Sequence, residues 1–230
     1  MRFLCLFLVL LHSASVAQSL PASITIALQP SRVGDTQSGP LNSKLFTELL
    51  KLNTDVQIFL CPWARCLKAI ETGAADIISD LYYSDERANY TVFLSPHYDV
   101  QDTAFRFIVH KDANTSITSW DDLYEIGIGT VRGSVYFPRF DSDTRLNKYP
   151  TVHISNTLEL LLKKRIQAVI APPTLTNPII GDYDPTGQLT IAEYNHQYTQ
   201  KVFIGLSKQS DWLPFKQLLE QRLLGNKPLK

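Results

Sequence analysis

The stretch VQIFLCPWARCLKAIETGAADIIS, residues 56–79, contains a complete strand–helix–strand unit. Val56–Leu60 is apolar and rich in β-forming residues, and Asp76–Ser79 carries a second short apolar run. Between them, Pro62 suits the first turn of a helix, where its missing N–H costs nothing, and Gly73 suits the helix end. A strand, a helix and a second strand in succession predict two parallel strands covered by the helix.

The same alternation continues on both sides of this unit. Ser23–Leu28 alternates like a first strand, and apolar residues recur at helical spacing between Leu45 and Leu52. Further strands are predicted at Phe105–Val109, Ile126–Gly129, Val152–Ile154, Ala168–Ile170, Leu189–Ala192 and Val202–Leu206, and further helices from near Ser119, Ser134, Asn156 and Trp212. Two α/β units therefore follow each other, with a crossing near residues 99–106 and a candidate return crossing near residues 199–206.

The overall composition excludes several classes of protein. The 230 residues include 22 Lys+Arg and 22 Asp+Glu, and 44% are hydrophobic. A balanced charge without a basic cluster argues against nucleic-acid binding, which requires a concentrated positive surface. The hydrophobic fraction is too high for a disordered chain, and the length allows one large domain or two small ones.

The first residues have the features of an export signal. Arg2 precedes the apolar run Phe3–Leu11, and Ser15-Val16-Ala17 provides small residues where a signal peptidase cleaves. The apolar run is shorter than the roughly 20 residues that a membrane-spanning helix needs. We therefore predict a signal peptide at residues 1–17 and an exported mature protein starting near Gln18.

Two cysteines remain after this cleavage, Cys61 and Cys66. Disulfides persist in oxidising compartments, so the two residues are a possible disulfide pair. The alternative is a pair of buried small apolar side chains, because residues five apart along a helix are awkwardly spaced for a bridge. A zinc site would need a second pair of ligands, so no metal is expected.

The glycine turn Gly127–Gly133 invites a comparison with nucleotide-binding loops. It misses the G-x-G-x-x-G spacing by one residue, so no nucleotide cofactor is expected. Backbone N–H groups at the start of the helix predicted from Ser134, with Arg132 beside them, would favour an anion; a plain tight turn is the alternative. The chain has no G-x-S-x-G, H-E-x-x-H or Walker motif, and no catalytic residue is predicted.

A series of short motifs, in this order and spacing, resembles the family 3 extracellular solute-binding proteins, the periplasmic receptors for polar amino acids and related solutes. The motifs are Pro62-Trp63-x-Arg65-Cys66-Leu67, Gly73-x-Ala75-Asp76-x-Ile78, Ser84-x-Glu86-Arg87, Phe93-x-Ser95-Pro96-x-Tyr98, Trp120–Leu123, Gln167–Ile170 and Phe203–Ser207. The resemblance covers most of the mature chain.

This resemblance implies an α/β fold of the type II periplasmic-binding-protein class. Such a clamshell has two lobes, each with a mainly parallel sheet flanked by helices, joined by two crossover strands. We expect residues 18–102 with 200–230 in one lobe and residues 103–199 in the other. The implied function is binding of a small solute by a monomeric, non-enzymatic receptor, which closes on it and presents it to an inner-membrane ABC permease or a sensor kinase.

The resemblance also assigns roles to individual residues. Arg87 matches the arginine that grips the ligand's carboxylate, for which a guanidinium provides two parallel charged hydrogen bonds; an ion pair on the surface is the alternative. Ser134 and the backbone of Val135 match the group that meets this carboxylate from the other lobe. Tyr82 and Trp63 are candidates for the pocket wall or for core packing.

The sequence departs from the family at the group that binds the ligand's ammonium. Family members place an aspartate there, whereas this chain has Ala171-Pro172-Pro173-Thr174. Burying an unpaired ammonium is costly, so either Asp80 substitutes or the ligand has a carboxylate without an α-ammonium. Gln29 and Arg132 complete the predicted ligand-binding residues.

Two other functions remain open from the sequence. A hydrolase or dehydratase on the same scaffold would use Asp80 or another cleft acid with a raised pKa. A scaffold that binds a partner and has lost its small ligand would account for the missing ammonium-binding acid.

Overall fold

The computed structural model describes residues 19–29, 45, 47–171, 180, 181 and 183–225. The predicted signal peptide and the segment Pro172–Thr174 lie outside these ranges. Among the described residues, no helix has the length and apolar character needed to cross a bilayer.

Nine strands, five α-helices and two short 3₁₀ turns have bounds within the described ranges, and residues 45, 47–50, 180, 181 and 183 are helical as well. The strands are β1 (Ser23–Leu28), β2 (Asp55–Leu60), β3 (Ile77–Tyr82), β4 (Thr91–Phe93), β5 (Asp99–His110), β6 (Gly127–Val131), β7 (Asn147–Thr151), β8 (Ala168–Ala171) and β9 (Leu189–Ser207). The helices are α1 (Trp63–Thr72), α2 (Asp85–Ala88), α3 (Pro138–Ser142), α4 (Ile154–Leu162) and α5 (Lys216–Leu223), and the 3₁₀ turns are Asp121–Leu123 and Leu213–Phe215.

The strands form one sheet in the order β2-β1-β3-β9-β5-β8-β6-β7, and β4 also pairs with β9. β1 is parallel to β2 and β3, and β6 is parallel to β7 and β8. The long strands β5 and β9 run antiparallel to each other in the middle of this order. We call β1 to β4 with the C-terminal part of β9 the first half of the molecule, and β6 to β8 with the adjoining parts of β5 and β9 the second half.

Each half has its own apolar core on both faces of the sheet. Consecutive strand residues enter opposite clusters, as the two-residue period of a strand requires: Ile77 and Ile78 in the first half, Phe107 and Ile108 in the second. None of the four clusters of described residues mixes the two halves. The halves are therefore stabilised separately and are joined through β5 and β9.

Helix α1 follows the predicted stop and start signals closely. Pro62 occupies the N-cap position, one residue before the first turn, and Gly73 ends the helix in the left-handed conformation with φ of 75°. Cys61 and Cys66 form a disulfide, with their Cα atoms 5.3 Å apart. Because Cys61 precedes the helix, the pair is not constrained to the Cα separation of residues five apart within one helix.

Two sequence predictions in the second half are wrong. Val152–Ile154 is not a strand: the strand is β7, which ends at Thr151, and α4 begins at Ile154. β7 contains Pro150 and lies at the edge of the sheet, where a proline is tolerated and polar residues face water. The helix predicted from Ser134 begins at Pro138, which occupies its first turn.

The two strands predicted at Leu189–Ala192 and Val202–Leu206 are parts of one 19-residue strand, β9. Its middle section alternates between half-buried and exposed residues, which pair with β5 from Asp99 onward. The candidate return crossing near residues 199–206 is therefore part of a continuous antiparallel connection.

Candidate functional site

A cavity of about 320 Å³ lies between the two halves, which both contribute to its lining. Seven of the predicted binding residues line it: Gln29, Trp63, Asp80, Tyr82, Arg87, Ser134 and Val135. The rest of the lining consists of Gln101, Phe105, Val131, Tyr136, Ile154 and Ile170. Most of these residues lie at the ends of strands, at the starts of helices or in the loop 134–136, while Gln101 and Phe105 lie within β5.

Arg87 supplies the cation of this cavity and is only 3% exposed. Its Nη1 donates to the carbonyl oxygen of Tyr82 at 2.7 Å, and its Nη2 donates to the carbonyl oxygen of Gly133 at 2.8 Å. No ion pair in the described part of the chain involves this guanidinium, so it is not the surface pair with Asp85 or Glu86 that was the alternative. Burial lowers the pKa of Arg87, as expected for a charge held away from water.

The carbonyl of Gly133 accepts a second hydrogen bond, from Trp63 Nε1 at 3.1 Å. The guanidinium carbon of Arg87 lies 5.6 Å from the centre of the Trp63 ring, within the range of a cation–π contact. Gly133 has φ of 78°, and a Cβ there would come within 3.0 Å of Leu67. A turn of the second half is thus docked on α1 and α2 of the first half.

Asp80, which also lines this cavity, accepts hydrogen bonds from two neighbouring hydroxyl groups. Its Oδ1 accepts from the Tyr98 hydroxyl at 2.6 Å, and its Oδ2 accepts from the Ser79 hydroxyl at 2.9 Å. Asp80 has φ of 59°, a left-handed conformation that aspartate tolerates better than most residues. The carboxylate is therefore already held by two donors of the protein.

Tyr82 closes the cavity next to Arg87 and connects it with β5. Its hydroxyl donates to Gln101 Oε1 at 2.5 Å. Burial raises the pKa of Tyr82 to about 12, and the charges of Asp80 and Asp99 add to this effect.

The second half contributes a mostly apolar wall. Tyr136 is 6% exposed, and its hydroxyl accepts from the backbone N–H of Val131 at 2.8 Å. Burial raises the pKa of Tyr136 to about 12. Ser134 and Val135 lie between these two residues and face the cavity from this side.

Arg132 is not among the residues that line the cavity, and it is exposed. Its backbone N–H donates to the carbonyl of Thr151, which continues the pairing of β6 with β7. Val131 does line the cavity. Successive residues of an extended segment point to opposite sides, so the neighbour of Val131 is directed elsewhere.

A second cavity, of about 610 Å³, adjoins the first and shares Tyr82, Val135 and Tyr136 with it. Sequence reasoning missed its polar residues, which include Asp141 on α3 and Gln200 on β9. Neither belongs to a motif, and both contact the backbone of Tyr136. Across the described ranges, no group of three or more His, Cys, Asp or Glu side chains is arranged to hold a metal ion.

The fold matches that of solved periplasmic-type binding proteins. Holo ArgBP from T. maritima has a TM-score of 0.71 at 14% identity, with 88% of this chain and 89% of that chain covered. AbpA from Streptococcus pneumoniae, an amino acid ABC transporter substrate-binding protein bound to L-arginine, has a TM-score of 0.70 at 19% identity, with 88% and 87% covered. An ancestral arginine-binding protein bound to arginine has a TM-score of 0.69 at 15% identity, with 89% and 92% covered.

No family model matches the sequence, and no curated protein matches it. The structural likeness shows the fold: a mixed α/β sheet of the type II periplasmic-binding-protein class, with helices flanking the sheet.

Proposed function

We propose that this protein binds a small carboxylate-bearing solute in the cavity between its halves, outside the cytoplasmic membrane, and presents it to an ABC permease or a sensor kinase. It acts as a receptor without catalytic residues. The two halves correspond to lobes formed by residues 18–102 with 200–230 and by residues 103–199. Both proposed boundaries fall within the connecting strands β5 and β9.

The observation that carries this proposal is that Arg87 is buried without an ion-pair partner among the described residues. A buried guanidinium without a carboxylate partner is costly, because its charge has left water without a counter-ion. Arg87 is in this position and lines the cavity, so an anionic ligand would supply the missing charge. A carboxylate fits because it accepts two parallel hydrogen bonds from one guanidinium.

The rest of the lining supports a small organic acid. The surrounding side chains are mainly apolar and aromatic, with few polar groups, as is typical of small-molecule sites, whose volumes are about 300–1,000 Å³. The fold is shared with proteins solved in complex with arginine, and one of them is an ABC transporter substrate-binding protein. This likeness favours a receptor over a hydrolase on the same scaffold.

The test compares carboxylates with their uncharged amides in a thermal-shift assay followed by calorimetry. A ligand that binds the folded state raises the melting temperature, and only the carboxylates should do so. Arg87→Ala should weaken their binding by roughly 100-fold, since two hydrogen bonds to a charged group are lost.

Two further variants test whether the loss of binding is specific to the guanidinium of Arg87. Arg87→Lys keeps the charge but loses the paired geometry, so it should bind with intermediate affinity. Arg65→Ala removes an exposed arginine of α1 that does not line the cavity, and should bind like the wild type. Equal affinity of Arg87→Ala and wild type for a carboxylate would contradict the proposal.

A further inference from the structure

The second half of the molecule contributes an apolar wall to the first cavity. Phe105, Tyr136 and Ile170 are 3%, 6% and 1% exposed, and all three belong to one core cluster of that half. Val131 and Ile154 are half-buried and line the cavity with them. We call these five residues the apolar wall. A ligand that fills the cavity therefore packs against side chains that also form or adjoin the core.

The second half brings no charged side chain to the described lining. The hydroxyl of Tyr136 already accepts from the backbone N–H of Val131 at 2.8 Å, and Ser134 is the other polar side chain on this side. The segment that follows the apolar wall in sequence does not supply a carboxylate either, because no acidic residue occurs between Ile170 and Gly181. An ammonium group on this side of the cavity would therefore find no counter-charge among these residues.

Asp80 is the single acidic side chain in the described lining of the first cavity. Its Oδ1 accepts from the Tyr98 hydroxyl at 2.6 Å and its Oδ2 from the Ser79 hydroxyl at 2.9 Å, so both oxygens have donors within the protein. Asp80 and Arg87 both belong to the first half. The cavity thus has its charges on one half and hydrocarbon on the other.

This division favours a ligand that is charged at one end and apolar at the other. An ammonium group against the apolar wall would leave water without a counter-ion, which is costly. A hydrocarbon group in the same place gains from the burial of its surface. At about 30 Å³ for each water-sized group, the cavity of about 320 Å³ has room for roughly ten non-hydrogen atoms.

We propose that the ligand is a monocarboxylate with an apolar body and no α-ammonium group, such as an arylalkanoate or a branched alkanoate. Its carboxylate binds Arg87, and its body packs against the apolar wall. This inference rests on the proposed function and names the ligand class for the same cavity. It separates these acids from α-amino acids and from dicarboxylates of equal length.

The experiment compares acids that share a carbon skeleton: phenylpropanoate with phenylalanine, isocaproate with leucine, and hexanoate with hexanedioate. Calorimetry with the mature protein gives the dissociation constants. Each plain monocarboxylate should bind at least about tenfold more tightly than its amino or dicarboxylate counterpart, because the second charge has no partner. From butanoate to hexanoate, each added methylene should tighten binding about fourfold.

Val131→Thr tests the contact with the apolar wall, since it replaces a methyl group by a hydroxyl. Its affinity for phenylpropanoate should fall about three- to tenfold, the effect of one apolar contact. The matched control is Val152→Thr, at a valine that is 44% exposed and lies outside both cavities, and it should bind like the wild type. Melting temperatures of both variants show whether the fold is kept.

The outcomes separate this inference from the function on which it rests. If the wild type binds the α-amino acids or the dicarboxylate as tightly as the plain acids, the ligand class is wrong and the carboxylate site at Arg87 stays intact. Wild-type affinity of Val131→Thr for phenylpropanoate overturns the contact with the apolar wall. Absence of binding by every carboxylate in the set overturns the proposed function itself.

Discussion

Tyr82, in the wall of the first cavity, has a raised pKa that should make the stability of the protein depend on pH. Its buried hydroxyl has its pKa raised to about 12, first by burial and then by the charges of Asp80 and Asp99. In the unfolded chain a tyrosine titrates near pH 10. The folded state therefore holds this proton more tightly, and the resulting stability is present in full below about pH 10 and is lost as the pH rises from 10 to 12.

We expect Tyr82→Phe to reduce this loss. The slope of the unfolding free energy against pH between 10 and 12 should become less negative by up to about 1.4 kcal/mol per pH unit, the effect of one proton. Urea unfolding at several pH values measures the slope, and the comparison at pH 8 provides the baseline. Identical slopes for variant and wild type would contradict this expectation.

The residues of the first cavity were predictable where a motif or a strand end marked them. Arg87 and Trp63 lie in the motifs, Tyr82 was a separate candidate for the pocket wall, and all three line the first cavity. Asp141 and Gln200 were not predictable, because they lie in ordinary polar sequence and meet only through tertiary packing.

Among the secondary-structure elements, helix α1 is connected to the preceding strand by a disulfide. The disulfide Cys61–Cys66 ties the end of β2 to the second turn of this helix. Trp63, which lines the cavity, lies inside the closed loop. The disulfide therefore restricts the position of Trp63 in the folded protein and the conformations that are open to the unfolded chain.

Replacing both cysteines by serine should lower the free energy of unfolding by about 2 kcal/mol, the value expected for a loop of this length. Urea unfolding with and without a reducing agent measures the difference. The reducing agent should destabilise the wild type and leave the double variant unchanged. A wild type that is insensitive to reduction under unfolding conditions would refute the expectation.

Sequence periodicity predicted the buried strands better than the polar edge strand β7. Ser23–Leu28 and the predicted Ala168–Ile170 match the structural bounds of β1 and β8 to within one residue. β7 is polar and contains Pro150, and nothing in its pattern indicates a strand. β7 is an edge strand that pairs with β6, and hydrophobic periodicity does not indicate a strand that is exposed at the edge of a sheet.

In the whole molecule, Gly133 joins the two halves across the cavity. Its carbonyl oxygen accepts from Trp63 in one direction and from Arg87 in the other. These two hydrogen bonds connect the two halves directly. The carboxylate proposed to bind Arg87 would share the guanidinium with this carbonyl, since five N–H donors are present and Gly133 takes one.

Trp63→Phe keeps an aromatic ring and removes the indole N–H. Loss of one hydrogen bond of about 1 kcal/mol should shift the ratio of closed to open molecules about fivefold toward the open form. Small-angle scattering of the ligand-free variant should show a larger radius of gyration, which a saturating carboxylate reduces again. Arg65→Ala on the same helix is the control, and an unchanged radius in Trp63→Phe would argue against the closing role of this contact.

The acceptor at Gly133 is part of the main chain, so no single amino-acid replacement at that position can delete the oxygen itself. Substitutions that remove a donor of these hydrogen bonds act at Trp63 or at Arg87. One of these is also the proposed anchor for the solute. Within the proposed function, Trp63 is therefore the donor that can be replaced without loss of the proposed carboxylate anchor.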